Sequence, residues 1–242
     1  MIENPALSGP AWPPASPIGP KVAGVAARRP EPVALDGRHV RVVPFAPERH
    51  AADLFAGSHG PEKAALWAYL TPEPFANLEA FTEYYARAAA ASDPLLFAIE
   101  DRRDGRAVGH ASYMRIEPGH RVMEVGNILF TPQLQHRPGG TEAMYLMARH
   151  AFETLGFRRY EWKCNALNTP SRRAAERLGF TFEGIFRQHM IVKGRNRDTA
   201  WYALLDGDWP RARAALEAWL APENFDADGR QRRRLEDLRA AL

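Results

Sequence analysis

The chain has a single cysteine, Cys164, among 242 residues. One thiol excludes an intrachain disulfide framework and is too few for a thiolate zinc site. Long apolar runs are missing too: nothing approaches the roughly 18–20 residues needed to span a bilayer, and mean hydropathy is −0.41. The N-terminus has no basic stretch followed by an apolar one, so no secretory leader is read there. Together these absences point to a cytoplasmic protein that does not engage a membrane. Charge of one sign is also scarce. Thirty-two Lys and Arg nearly cancel 29 Asp and Glu, for a net charge of +3, so charge alone does not argue for nucleic acid. The eight histidines show no His-x-x-x-His spacing, and no metal is expected.

What is present is enough apolar material, 45% of the chain, for one sizeable core. Residues 1–34 are rich in Pro, Ala and Gly without apolar period, and read as a disordered or extended arm. The turn Asp36-Gly37 then leads into a short alternating strand, His39–Phe45. Glu48–Leu70 reads as helix divided by Pro61, and Asn77 caps another helix running to about Ala91. Strands follow at Leu95–Glu100, Ala107–Ile116 and Val122–Phe130.

The rhythm then changes. Helix Gly139–Leu155, strand Arg159–Asn165, helix Pro170–Leu178 with Thr169 as its N-cap, and strand Phe180–Val192 come in turn. A turn over Lys193–Arg197 leads to strand Asp198–Leu205, and helix Asp208–Leu220 closes the core. The basic tail, residues 222–242, reads as a short helix with Leu235, Leu238 and Leu242 on one face. This order implies one α+β domain over residues 35–221, a mixed sheet flanked by helices.

One segment carries chemistry. The strand ending at Phe130 passes through Thr131–His136 into a helix whose first position is Pro138, where a missing N–H costs nothing. Gly139 and Gly140 bring no side chains, so an anion such as a pyrophosphate can approach the helix N-terminus, and His136 and Arg137 can add charge. The same glycines would equally suit a tightly packed strand-to-helix turn. Downstream, Asn165 and Asn168 lie at the open end of a strand, and Ser171 lies in the first turn of the helix that follows.

The run EVGNILFTPQLQHRPGGTEAMYLMARHAFETLGFRRYEWKCNALNTPSRRAAERLGF, Glu124 to Phe180, resembles the GNAT superfamily of N-acetyltransferases. It is similar to the branch of Rim-type ribosomal-protein N-terminal acetyltransferases. The likeness continues through EGIFR (Glu183–Arg187) and KGRNRDTAWY (Lys193–Tyr202), and extends more weakly back to Leu35. It implies a mostly antiparallel mixed sheet whose two central strands splay apart to admit acetyl-CoA as co-substrate. By the same resemblance the pyrophosphate sits on amides of Gln135–Thr141, with Gln135 and Gly140 matching the family pattern Gln/Arg-x-x-Gly-x-Gly/Ala. Pro138 stands where the first glycine is usual, and Arg137 is placed to compensate for the lost donor.

The resemblance also assigns roles. Glu124 relays the amine proton, Ser171 hydrogen-bonds or protonates the CoA sulfur, Asn165 bonds the pantetheine amides, and the N–H of Leu129 or Phe130 meets the acetyl carbonyl. Beside these stand plainer readings: a solvated strand-end carboxylate, a helix-turn hydroxyl and a turn-forming asparagine. Cys164 shares a strand face with Trp162 and reads as a buried core thiol. The acceptor implied is a small amine, an aminoacyl group or a protein N-terminus, and many similar enzymes form homodimers. Two alternatives are a non-catalytic CoA-binding module, which Pro138 favours, and a ribosome- or RNA-associated protein, which the arginines near Lys193 and Arg230 favour.

Overall fold

The structure, a computed structural model, describes Gly19 and residues 21–242. The arm read over 1–34 therefore lies partly outside the described residues. Its last stretch is pinned: Ala27 is buried, and its N–H donates to the Pro118 carbonyl at 3.0 Å, while the Arg28 N–H donates to Leu155 at 2.8 Å.

Eight strands form one sheet: β1 (Leu35–Asp36), β2 (Val40–Pro44), β3 (Leu95–Asp101), β4 (Ala107–Glu117), β5 (Val122–Phe130), β6 (Arg159–Asn165), β7 (Thr181–Val192) and β8 (Arg195–Leu205). Their order is β1-β2-β3-β4-β5-β6-β8-β7, antiparallel throughout except where β5 meets β6 in parallel. The helices are α1 (Pro47–Ser58), α2 (Leu78–Ala89), α3 (Pro138–Arg149), α4 (Thr169–Leu178), α5 (Trp209–Leu220) and α6 (Leu235–Ala240).

Local chemistry sets the ends of these elements. The Asn77 side chain accepts from the Ala80 N–H at 2.9 Å and starts α2. α4 is capped by Asn168, whose Oδ1 accepts from the Ser171 N–H, so the N-cap lies one residue before the expected Thr169. Pro61 does divide the early helical pattern, and residues Pro61–Trp67 tighten into 3₁₀ geometry. The β7–β8 turn is shorter than the expected Lys193–Arg197. Lys193 and Gly194 both adopt positive φ, 51° and 68°, and Val192 already pairs with Arg195. Two left-handed residues match the twist of the hairpin, so β8 begins three residues early. At the C-terminus the helix is shorter than residues 230–242: Leu235 and Leu238 are buried, but α6 ends at Ala240 and Leu242 is exposed.

The sheet separates two cores. Met123, Val125, Tyr160, Trp162 and Tyr202 pack beneath α3–α6 with Met147, Phe152, Trp209 and Leu235. On the other face Leu54, Trp67, Phe81 and Tyr85 pack against Leu96, Ala98 and Leu129. Val125 and Leu129 have the same parity along β5, yet they enter opposite cores. The cause is a β-bulge: Ser112 pairs with Gly126 and His110 with Leu129, so β5 carries one extra residue, with Asn127 at φ 54°.

Candidate active site

The bulge lies where the sheet opens. β5 and β6 pair from Val122↔Arg159 to Val125↔Trp162 and no further, although β5 continues to Phe130 and β6 to Asn165. The splayed ends lead into a cleft of about 620 Å³ between the first turn of α3 and the α4 side of the sheet.

Phe130, His136, Arg137, Gly140 and Thr141 all border that cleft. His136 takes φ 57° to turn the chain, and Pro138 occupies the first helical position with no N–H to offer. Other predicted binding residues make contacts within the fold. The Gln135 carboxamide donates to the Phe130 carbonyl at 2.9 Å, tying the turn to the strand end. A Cβ on Gly139 would stand 2.7 Å from Val40 Cγ1, so this glycine admits the β2 side chain beneath it. A Cβ on Gly140 would stand 3.1 Å from the Phe130 ring at the cleft wall. Leu129 is buried in the second core, beside the bulge. Asn165 Oδ1 accepts from the Leu167 N–H at 2.9 Å, and Asn168 Oδ1 is spent on capping.

The cleft fits a polyphosphate-bearing cofactor on its own chemistry. It is lined by Arg137, Arg177, Arg230 and His136, with no carboxylate among the lining residues, and it faces a helix N-terminus. Apolar Phe130, Leu134, Met144 and Trp162 line its inner part, suited to an uncharged arm.

Glu124 projects from the opposite face of β5. It is 5% exposed, so it is no solvated strand-end carboxylate. Lys163 Nζ and Arg115 Nε approach its Oε2 at 3.0 and 3.2 Å. Lys163 also pairs with Glu161 at 2.5 Å and stands 3.9 Å from the Trp201 ring centroid. Burial raises the Glu124 pKa above its ordinary value, against the pull of these cations. Ser171 faces the other way. Its Oγ accepts from Trp162 Nε1 at 3.0 Å, in the first core. Glu124 and Ser171 thus flank the splayed pair from opposite faces. Cys164 is buried, and burial raises its thiol pKa.

Sequence reasoning missed several groups. His110 is buried, 2.8 Å from the Tyr85 hydroxyl and paired across β4 with Leu129 at the bulge. Burial lowers its pKa to about 4, so it is neutral at physiological pH. Lys163 and Arg177 were not singled out either. Little in the local sequence marks these three residues: His110 meets Tyr85 of α2, Arg177 meets Thr141 of α3, and Lys163 meets Glu124 of β5 as well as Glu161 on its own strand. Lys193, read as part of a basic patch, bonds the Trp67 carbonyl at 2.7 Å and pairs with Glu73 at 3.2 Å. The β7–β8 hairpin therefore reaches over to the α1–α2 connection.

Comparison with known proteins gives a consistent family. The model for the acetyltransferase (GNAT) domain matches residues 39–181. A crystal structure of a GCN5-related N-acetyltransferase from Brucella melitensis is 45% identical, with a TM-score of 0.88, and covers 90% of this chain and 98% of that one. Two proteins of Bacillus subtilis (strain 168) match more distantly. "Uncharacterized N-acetyltransferase YnaD" is 27% identical over 47% of this chain and 65% of its own length. "Putative ribosomal N-acetyltransferase YdaF" is 29% identical over 44% of this chain and 57% of its own. The chain thus spans less than two thirds of either of these relatives.

Proposed function

We propose, for a chain that belongs to the GNAT family of acetyltransferases, that it moves an acetyl group from acetyl-CoA directly to a primary amine. The acceptor is a small amine, an aminoacyl group or a protein N-terminus. The observation that carries this reading is the splayed strand pair, with a buried carboxylate on one face, a hydroxyl on the other and a cation-lined cleft leading between them. When bound, acetyl-CoA supplies an activated thioester whose acetyl carbon the amine attacks as the C–S bond breaks.

The rest of the chemistry falls to the protein. Glu124 accepts the proton lost by the amine, and its raised pKa brings it nearer the range in which a general base works at neutral pH. Lys163 and Arg115 fix the carboxylate in place. The extra residue at Asn127 turns the β5 backbone so that an N–H at Leu129 or Phe130 can meet the developing oxyanion. Ser171 already accepts a hydrogen bond from Trp162, which directs its own O–H hydrogen away from the indole, where it can turn to the departing sulfur.

A thiol-release assay with acetyl-CoA against amino acids, peptides and polyamines tests the reading. CoA release that depends on the acceptor is expected. No release with any amine, together with no binding of CoA, would overturn it. Ser171→Ala should lower kcat more than CoA affinity; equal losses in both would remove its assigned role.

A further inference from the structure

The outer wall of the cleft comes from residues beyond the span matched by the family model: Trp219, Phe225, Gly229, Arg230 and Gln231. This wall is a built loop. Buried Asn224 donates from Nδ2 to the carbonyls of Trp219 and Arg233, at 3.1 and 3.2 Å, and its Oδ1 accepts from the Arg233 N–H at 2.9 Å. Phe225 forms a β-bridge with Gln231, whose side chain accepts from Trp219 Nε1 at 2.7 Å. The Trp219 and Phe225 rings meet edge to face, 5.2 Å apart.

Across the cleft stands Arg177, near the end of α4. It donates to Thr141 Oγ1 at 2.9 Å, in the first turn of α3, and its guanidinium lies 4.6 Å from the Trp219 ring centroid. Among the described residues no carboxylate stands within ion-pair distance of this half-buried cation. Arg230, on the loop, is itself exposed, and its one ion-pair neighbour among the described residues is the exposed Asp228 at 3.7 Å. Half-buried Arg177, with Arg137 and the exposed Arg230 lining the same cleft and no carboxylate in that lining, points to an anionic ligand with more than one negative group.

We propose that the loop Pro222–Gln231 and Arg177 form the nucleotide end of the cofactor site, a subsite for the 3′-phosphoadenosine diphosphate of CoA. Arg177, bonded to the α3 turn, holds the pyrophosphate and offsets the donor missing at Pro138. Arg230 holds the 3′-phosphate, and the Trp219–Phe225 pair walls the adenine. This rests on the acetyl-CoA reading above and extends the site to a part of the chain that the family match does not reach.

Calorimetric titration of CoA, 3′-dephospho-CoA and 4′-phosphopantetheine tests it. Wild-type protein is expected to bind CoA on the order of tenfold tighter than 3′-dephospho-CoA, and 4′-phosphopantetheine more weakly still. Arg230→Gln should raise the Kd for CoA by about the same factor and leave that for 3′-dephospho-CoA nearly unchanged. Arg230→Lys should recover part of the difference, and Arg232→Gln, a neutralised arginine outside the cleft lining, should bind like wild type. Equal wild-type affinity for CoA and 3′-dephospho-CoA, or undiminished CoA binding by a folded Arg230→Gln protein, would overturn the subsite while leaving the acetyltransferase reading intact. Failure of the wild type to bind CoA at all would overturn both.

Discussion

Glu124 carries its charge in an environment that resists it. Burial raises its pKa from 4.5, and Lys163 and Arg115 only partly offset that cost. The sign of the linkage follows. A carboxyl whose folded pKa is raised contributes stability that is complete below the unfolded value near 4.5 and is lost as pH rises through the folded value. Glu124→Gln removes this loss, so urea midpoints should shift in favour of the variant between pH 4.5 and 7. The same substitution removes the proposed base. It should lower kcat by about 10²-fold or more, and abolish the acid limb of the kcat/KM profile, whose midpoint lies above the ordinary carboxylate value. A variant that keeps that limb would leave the base unassigned. Glu124 and Ser171 could be put forward from the sequence because the family resemblance gives them a place along the chain. His110 and Lys163 were not, because burial beside Tyr85 or Trp201 is decided by strand pairing across tens of residues.

At the scale of elements, what could be read in advance is what punctuation residues dictate locally. Asn77, Pro138 and Gly179 mark α2, α3 and the end of α4, and β6 has the expected bounds, Arg159–Asn165. The bulge at Asn127, which sends Val125 and Leu129 into opposite cores, was illegible, since the register shift appears only when β5 pairs with β4. The paired glycines of α3 show how one motif can hide two physical roles. Gly139 admits Val40 from β2, and the same junction is tied by Glu142, whose carboxylate accepts from the N–H groups of Arg38, His39 and Val40 at 2.6–2.9 Å. Gly139→Ala should therefore act on stability, by about 1–3 kcal/mol of overpacking. Its effect on CoA affinity should be small, because the added methyl points toward β2 rather than into the cleft. Thermal unfolding and CoA titration on the same sample separate the two. A stable variant with weakened CoA binding would return Gly139 to the cofactor.

For the molecule as a whole, the family match ends at residue 181, but the packed core does not. β8 inserts between β6 and β7, and Trp209, Leu216, Trp219, Leu235 and Leu238 belong to the same core as Met123 and Trp162. The arginine-rich composition before Leu235 disguised this, because a basic run read locally is a solvated face. In the tail only the leucine face of Leu235, Leu238 and Leu242 hinted otherwise, whereas helix Asp208–Leu220 already read as closing the core. In the fold, α6 is fastened to α4: Arg239 donates to the carbonyls of Arg177 and Glu176 at 2.7 and 3.0 Å, and Leu235 is wholly buried. Leu235→Ala leaves a cavity beneath this junction and should cost about 2–5 kcal/mol. At roughly 2–4 °C per kcal/mol for a chain of this size, Tm should fall by about 4–20 °C. Because α6 is fastened beside Arg177 and follows the loop that carries Arg230, the variant should also bind CoA more weakly at temperatures where it is still folded. A Tm close to that of the wild type would mean that residues beyond Pro222 pack on the domain without sharing its cooperative unfolding.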